Sequence, residues 1–204
     1  MFDALKTVAR AILNDCIGET DEEHVRTPER YVSYMSTLLC RHTEEMPKLT
    51  SFPTKNDEMV FVGPIDFYSL CPHHLALIFG KAYVGYIPRG RVLGLSKIPR
   101  LIRWMSGSPI KQEDLTTQIA EEFEKALFPE GHAYTSKWDQ PISIKDIPTN
   151  GVGIVLKAIH TCMLVRGIKV NSNCYTTTSK MTGCFLDPRS QSRGEFFALM
   201  KESE

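Results

Sequence analysis

The residues best equipped for chemistry lie in Leu70-Cys71-Pro72-His73-His74-Leu75, where one thiol and two imidazoles share four positions. A thiolate and a neutral imidazole are the ligands zinc favours. Cys71 and His74 stand in a C-x-x-H spacing that a tight turn can fold onto one ion. A complete site needs further donors, and Ile159-His160-Thr161-Cys162-Met163 offers them. That stretch follows an apolar run, Val152 to Leu156, which reads as a strand. Strand residues i and i+2 share a face, so His160 and Cys162 are expected to look the same way. Two thiols and three imidazoles are thus in hand. Three ligands with an open position make a catalytic zinc site and four make a closed structural one; spacing alone leaves both open. Buried cysteines beside ordinary histidines would explain either stretch alone, since free Cys is among the most buried residue types. The two together favour a metal site.

The elements that must hold these residues are legible from patterning. Phe2, Leu5, Ala9 and Ile12 predict a short amphipathic helix ending near Gly18. Thr27-Pro28-Glu29-Arg30 reads as a helix start, with Thr27 as cap and Tyr31, Met35, Leu38 and Leu39 as the buried stripe. Pro47 to Lys55 reads as a linker. Strands are expected at 59–69 and 77–87, the second stopping at Pro88-Arg89-Gly90, followed by a short extended piece to Leu95. Ser96 is placed to cap a helix running to about Ser106. A second helix from about Lys111 carries Leu115, Ile119, Phe123 and Leu127 on one face. Residues 128–150, with three prolines, Tyr134 and Trp138, read as a long surface insertion. Strands return at 152–164 and about 173–186, and a last helix after Asp187-Pro188 has Phe196, Phe197 and Met200 as its apolar side. Helical arm (1–50), then two strands, two helices, two strands and a helix (51–204) make an α+β fold with antiparallel pairs.

Composition narrows the function classes. The chain has 204 residues, 42% of them apolar, enough for a core that needs no disulfides. With 24 basic and 24 acidic residues it is not a general nucleic-acid or membrane-surface binder. The start, Met1-Phe2-Asp3-Ala4-Leu5-Lys6, has an early acid and no long apolar run, so neither a signal peptide nor a bilayer span is expected. A cytoplasmic location follows, in which the six cysteines are ligands or core residues rather than bridges.

From about Thr27 to Met200 the chain resembles GTP cyclohydrolase I, a zinc-dependent family of the tunnelling fold (T-fold). The resemblance is carried by Thr27-Pro28-Glu29-Arg30, Cys71-Pro72-His73-His74, Gly80-Lys81, Gly85-Tyr86-Ile87-Pro88, Gly94-Leu95-Ser96-Lys97-Ile98 with Arg100, Gln112-Glu113-Asp114-Leu115-Thr116, and His160-Thr161-Cys162-Met163 with Arg166-Gly167. It implies that Cys71, His74 and Cys162 hold Zn2+ and that His73 and His160 transfer protons. It places Glu113 against the N1–H and 2-amino group of guanine, with Gln112 beside it. Lys97, Arg100, Arg166 and Arg30 fall at triphosphate positions, where guanidinium forks match phosphate oxygens. Ser96 matches a serine near the ribose and phosphates.

The implied reaction is hydrolytic opening of the guanine imidazole ring of GTP, releasing formate and forming 7,8-dihydroneopterin triphosphate. The implied assembly is a homo-oligomer, commonly two stacked pentamers, with sites at the subunit interfaces. Such a ring also removes exposed sheet edges. Three positions depart from the family pattern. Pro72 replaces a usual Glu and is expected to alter the loop, because Pro fixes φ and removes an N–H. Asp114 replaces a usual Arg. Lys157 replaces a usual Glu but is expected to point away from the His160 face. Two other readings compete: a T-fold nitrile oxidoreductase of queuosine synthesis, with a Cys nucleophile and NADPH, and an inactive T-fold protein that binds purine or pterin. The paired histidines, His160-x-Cys162 and Glu113 speak against both.

Overall fold

A computed structural model describes residues 2–18, 22–128, 150–188 and 190–204. The expected insertion therefore lies, from 129 to 149, outside the described residues. Two long strands, β2 (Val60–Leu70) and β3 (Leu77–Ile87), pair antiparallel and meet β5 (Gly151–His160) and β6 (Thr176–Met181) in a four-stranded sheet ordered β2-β3-β5-β6. Helices α3 (Lys97–Ser106) and α4 (Gln112–Leu127) cover one face. Leu115, Ile119, Ala120, Phe123 and Leu127 of α4 meet Val84, Tyr86, Val152, Ile154 and Leu156 in the main core. Leu115, Ile119, Phe123 and Leu127 are the four-residue stripe read from the sequence. On the opposite face α6 (Ser192–Glu202) packs Phe196 against Tyr83, Val155 and Phe185. This is the α+β architecture expected of a tunnelling fold, with the helix pair on one side.

The N-terminal helices α1 (Phe2–Ile17) and α2 (Thr27–Leu38) form an arm, and Met35, Leu38 and Leu39 bury against Leu70 beside the site loop. Gly18 ends α1 at φ +88°, a left-handed conformation that suits glycine, and its N–H donates to Asn14 O.

Several local expectations change. The buried positions of α1 are Ala9 and Leu13, whereas Ile12 is 55% exposed, because the helix docks one position further round than the sequence pattern suggests. Thr27 is the first helical residue, not its cap; Arg26 holds the cap position with no side-chain cap bond. The Pro47–Lys55 linker includes β1 (Ser51–Pro53), which pairs with β4 (Arg91–Leu93). A partner distant in sequence makes that strand, so local propensity does not reveal it. Phe197 is 39% exposed, since α6 turns only Phe196 fully inward.

Ser96 occupies the cap position of α3 but makes no side-chain cap bond. Ser96→Ala is therefore expected to shift stability by less than about 0.5 kcal/mol in denaturant unfolding. A serine that capped through its hydroxyl would cost about 1 kcal/mol on the same change.

The strand expected over 152–164 stops at His160. Its partner β3 begins at Leu77 and the last rung pairs Ile78 with His160, so only Leu77 lies beyond that rung and β3 has no residue to pair with Cys162. Thr161 Oγ1 instead donates to Leu77 O at 2.8 Å, and residues Thr161–Leu164 form one helical turn, α5. Cys162 therefore sits on a helical turn, not in the strand with His160. The strand expected at about 173–186 likewise shortens to β6 and closes in a 3-10 turn over Gly183–Phe185.

Candidate active site

Cys71 follows the end of β2 and opens the loop to β3. The loop closes on itself: Cys71 N–H donates to Ala76 O at 2.8 Å, and Cys71 O accepts from His74 N–H and Leu75 N–H. Leu75 adopts φ +51°, which costs a branched residue on the order of 1 kcal/mol and brings the chain back toward β3. Pro72 follows Cys71 in this turn, whose hydrogen bonds run from His74 N–H and Leu75 N–H to Cys71 O and call on no donor at position 72.

The turn at α5 brings Cys162 to this loop. Ligand atoms of Cys71, His74 and Cys162 all lie within 4.8 Å of one another, and among the described residues they form a group able to hold a metal ion. Cys71 Sγ lies 3.8 Å from His74 Nδ1 and 3.7 Å from His73 Nδ1. His73 approaches Cys71 but stands outside the three-residue group. Burial pushes the Cys162 thiol above its usual pKa, and the nearby Cys71 thiol adds to this while Arg166 opposes it. A cation among the sulfurs would reverse that sign.

The second half of the site comes from α4. The α3–α4 connection is tied to the end of β2, with Ser69 Oγ donating to Ser108 O at 3.1 Å and Ile110 N–H to Leu70 O at 3.2 Å. That lacing sets the start of α4 next to Cys71. Gln112, only 2% exposed, places Oε1 2.9 Å from His160 Nε2. Its Nε2 lies 3.0 Å from Leu156 O, 3.0 Å from Thr176 O and 3.1 Å from Thr178 Oγ1. His160 is half-buried, and desolvation holds its pKa below the usual histidine value, with the Glu113 carboxylate pulling the other way. Glu113 is exposed in the first turn of α4, so it is open to a ligand.

The sequence-predicted residues divide accordingly. Cys71, His74, Cys162, His73, His160, Gln112, Glu113 and Arg166 are linked by contact, electrostatics or adjacency around the loop and the start of α4. Ser96, Lys97 and Arg100 lie at the start of α3, and Arg30 on α2, with no hydrogen bond or ion pair to the cluster among the described residues. Gln112 differs from its expected substrate role in that its amide is spent inside the protein. Asp114 pairs with Lys111 at 3.1 Å on the helix surface. Lys157 points to the other face, as expected, where it pairs with Glu204 at 2.6 Å and lies 5.1 Å from the Tyr175 ring centroid.

Three residues were given no role from the sequence: Thr161, which anchors α5, and Thr116 and Thr178, whose hydroxyls meet at 2.6 Å beneath Gln112. A faint signal exists for the last two. Thr116 is one helical turn from Gln112, and Thr176 and Thr178 alternate onto one strand face.

The family model described as GTP cyclohydrolase I matches residues 5–137 and 142–201. The chain is 34% identical over 207 residues to GTP cyclohydrolase 1 of Campylobacter jejuni, covering 99% of this chain and 95% of that one. It is 37% identical over 190 residues to the Campylobacter concisus enzyme of the same name, covering 90% and 88%. The Chlorobaculum tepidum enzyme of that name is 36% identical over 205 residues, covering 98% and 80%. The site described above is thus set in a chain that belongs, over nearly its whole length, to the GTP cyclohydrolase I family.

Proposed function

We propose that this chain hydrolyses GTP at C8 of the guanine ring with zinc as its resident metal, releasing formate and forming 7,8-dihydroneopterin triphosphate. The convergence of Cys71, His74 and Cys162 beside the His160–Gln112 pair carries this reading.

The donor set fits zinc. Two thiolates and an imidazole suit a borderline-soft ion, and three protein ligands leave one position open. Cys71, His74 and Cys162, whose ligand atoms lie within 4.8 Å of one another, would hold the ion. Zinc held there would make hydroxide available at neutral pH, the nucleophile that attack on C8 requires. His73 and His160 then carry protons to the departing ring nitrogens, work suited to imidazoles. Glu113 accepts from guanine N1–H and the 2-amino group, which both face one carboxylate. Lys97, Arg100, Arg166 and Arg30 bind the triphosphate, with Ser96 near the ribose.

An interfacial site explains why Arg30 and the α3 residues stand apart in the single chain. A ring of subunits, two stacked pentamers in this reading, would pair the edge strands β2 and β6 and cover Leu75, Val165 and Ile168, which are exposed in one chain. The reaction belongs at the entry to folate, pterin or deazaguanine synthesis in the cytoplasm.

The test incubates purified protein with GTP and follows formate, the fluorescent oxidised pterin and zinc content, for wild type and His160→Ala. Product from wild type, with zinc kept and product lost in the variant, is expected. Zinc without formate or pterin would overturn the reading in favour of a purine- or pterin-binding protein. NADPH oxidation would point to the reductase.

A further inference from the structure

The Gln112 amide has only one workable orientation. Leu156 O and Thr176 O are carbonyl oxygens and only accept, and both lie 3.0 Å from the same terminal atom of Gln112. That atom must be the amide nitrogen. The carbonyl end therefore faces His160 Nε2 at 2.9 Å and can only accept from it. A neutral imidazole carries one N–H, so His160 is fixed with its proton on Nε2 and its lone pair on Nδ1.

The support continues one layer further. Thr116 Oγ1 lies 2.7 Å from Gln112 O and donates to it, one turn along α4. Its oxygen then accepts from Thr178 Oγ1–H at 2.6 Å. With its own proton used there, Thr178 Oγ1 presents a lone pair to the Gln112 amide, as does Thr176 O. Three acceptors thus surround the two amide protons, and every proton in the chain from Thr116 to His160 has a defined direction.

We propose that Gln112 is a positioning residue that fixes the Nε2–H tautomer of His160, held in that sense by Thr178 and Thr116, so that Nδ1 is the nitrogen His160 uses for proton transfer. The proposal rests on the catalytic role of His160 given above, and it assigns the Gln112 side chain to the histidine rather than to the substrate. The arrangement parallels the general rule that an imidazole at work is oriented by the partner of its other nitrogen.

The test combines spectroscopy and kinetics on metal-loaded protein. Solid-state 15N spectra of histidine-labelled protein, assigned with His160→Gln as reference, report the tautomer without any turnover. Wild type should show Nε2–H alone, and Gln112→Met a mixture of tautomers. With GTP, Gln112→Met should lower kcat about 10- to 100-fold, the range typical of losing an orienting partner, with KM changed less than about threefold. Thr178→Val should lower kcat in the same manner but less, and Thr178→Ser should restore it.

A single unchanged tautomer in Gln112→Met, or a raised KM at constant kcat, would overturn the proposal. The second result would return the Gln112 side chain to the substrate. If wild type releases no formate, the proposed reaction fails, while the 15N spectra still decide the role of Gln112.

Discussion

Cys162→Ala is expected to weaken zinc binding by well over 100-fold and to abolish formate release. The methyl group offers no electron pair, and losing even an outer partner of a ligand costs about 10–100-fold in affinity. The fold should survive, because the main core lies between the sheet and α3–α4, and Cys162 is only packed at its margin. The one-turn helix that carries it is anchored by Thr161 to Leu77 O, not by the sulfur. Zinc content after dialysis against a chelator, with circular dichroism as the folding control, checks this. His160→Ala makes the complementary expectation: zinc retained, and turnover lowered by about 10²–10⁴, the usual worth of a positioned acid–base group. A Cys162→Ala protein that kept its zinc would remove this residue from the ligand set.

Gly80→Val is expected to destabilise the protein by about 3 kcal/mol or more, at the upper end of overpacking costs. A side chain at Gly80 would place Cβ 2.2 Å from Lys157 O and 2.6 Å from Ala158 Cα. Both are backbone atoms of β5, which cannot swing aside as a side chain would. Gly80 pairs with Ala158 in the β3–β5 ladder, two rungs from the Ile78–His160 pair that ends it. The strain would therefore reach His160 as well as the core. Against a typical total of 5–15 kcal/mol, such a loss threatens the fold itself. A lowered denaturant midpoint, or protein found only in the insoluble fraction, is the expected result. An unchanged midpoint would mean that β3 and β5 can move apart at no cost.

Patterning determined much of this molecule directly. The β-type runs at 59–69 and 77–87 and the four-residue step from Leu115 to Leu127 marked strands and helix, because residue type and period are local properties of the chain. The candidate donors Cys71, His73, His74, His160 and Cys162 were legible by chemical type, and the resemblance proposes which are ligands and which carry protons.

What the sequence could not contain was whatever depends on a distant partner. His160 and Cys162 were expected on one strand, but β3 starts at Leu77 and has no residue opposite Cys162, which turns onto α5 and reaches Cys71 from there. Ser51–Pro53 became a strand only because β4 lies alongside. Gln112 looked like a ligand contact when read as a motif, yet three acceptors from β5 and β6 enclose its amide and turn its carbonyl to His160. Residue type and period are local properties written along the chain. The direction of a buried hydrogen bond is set by what the rest of the fold brings within 3 Å, and only the tertiary structure decided it.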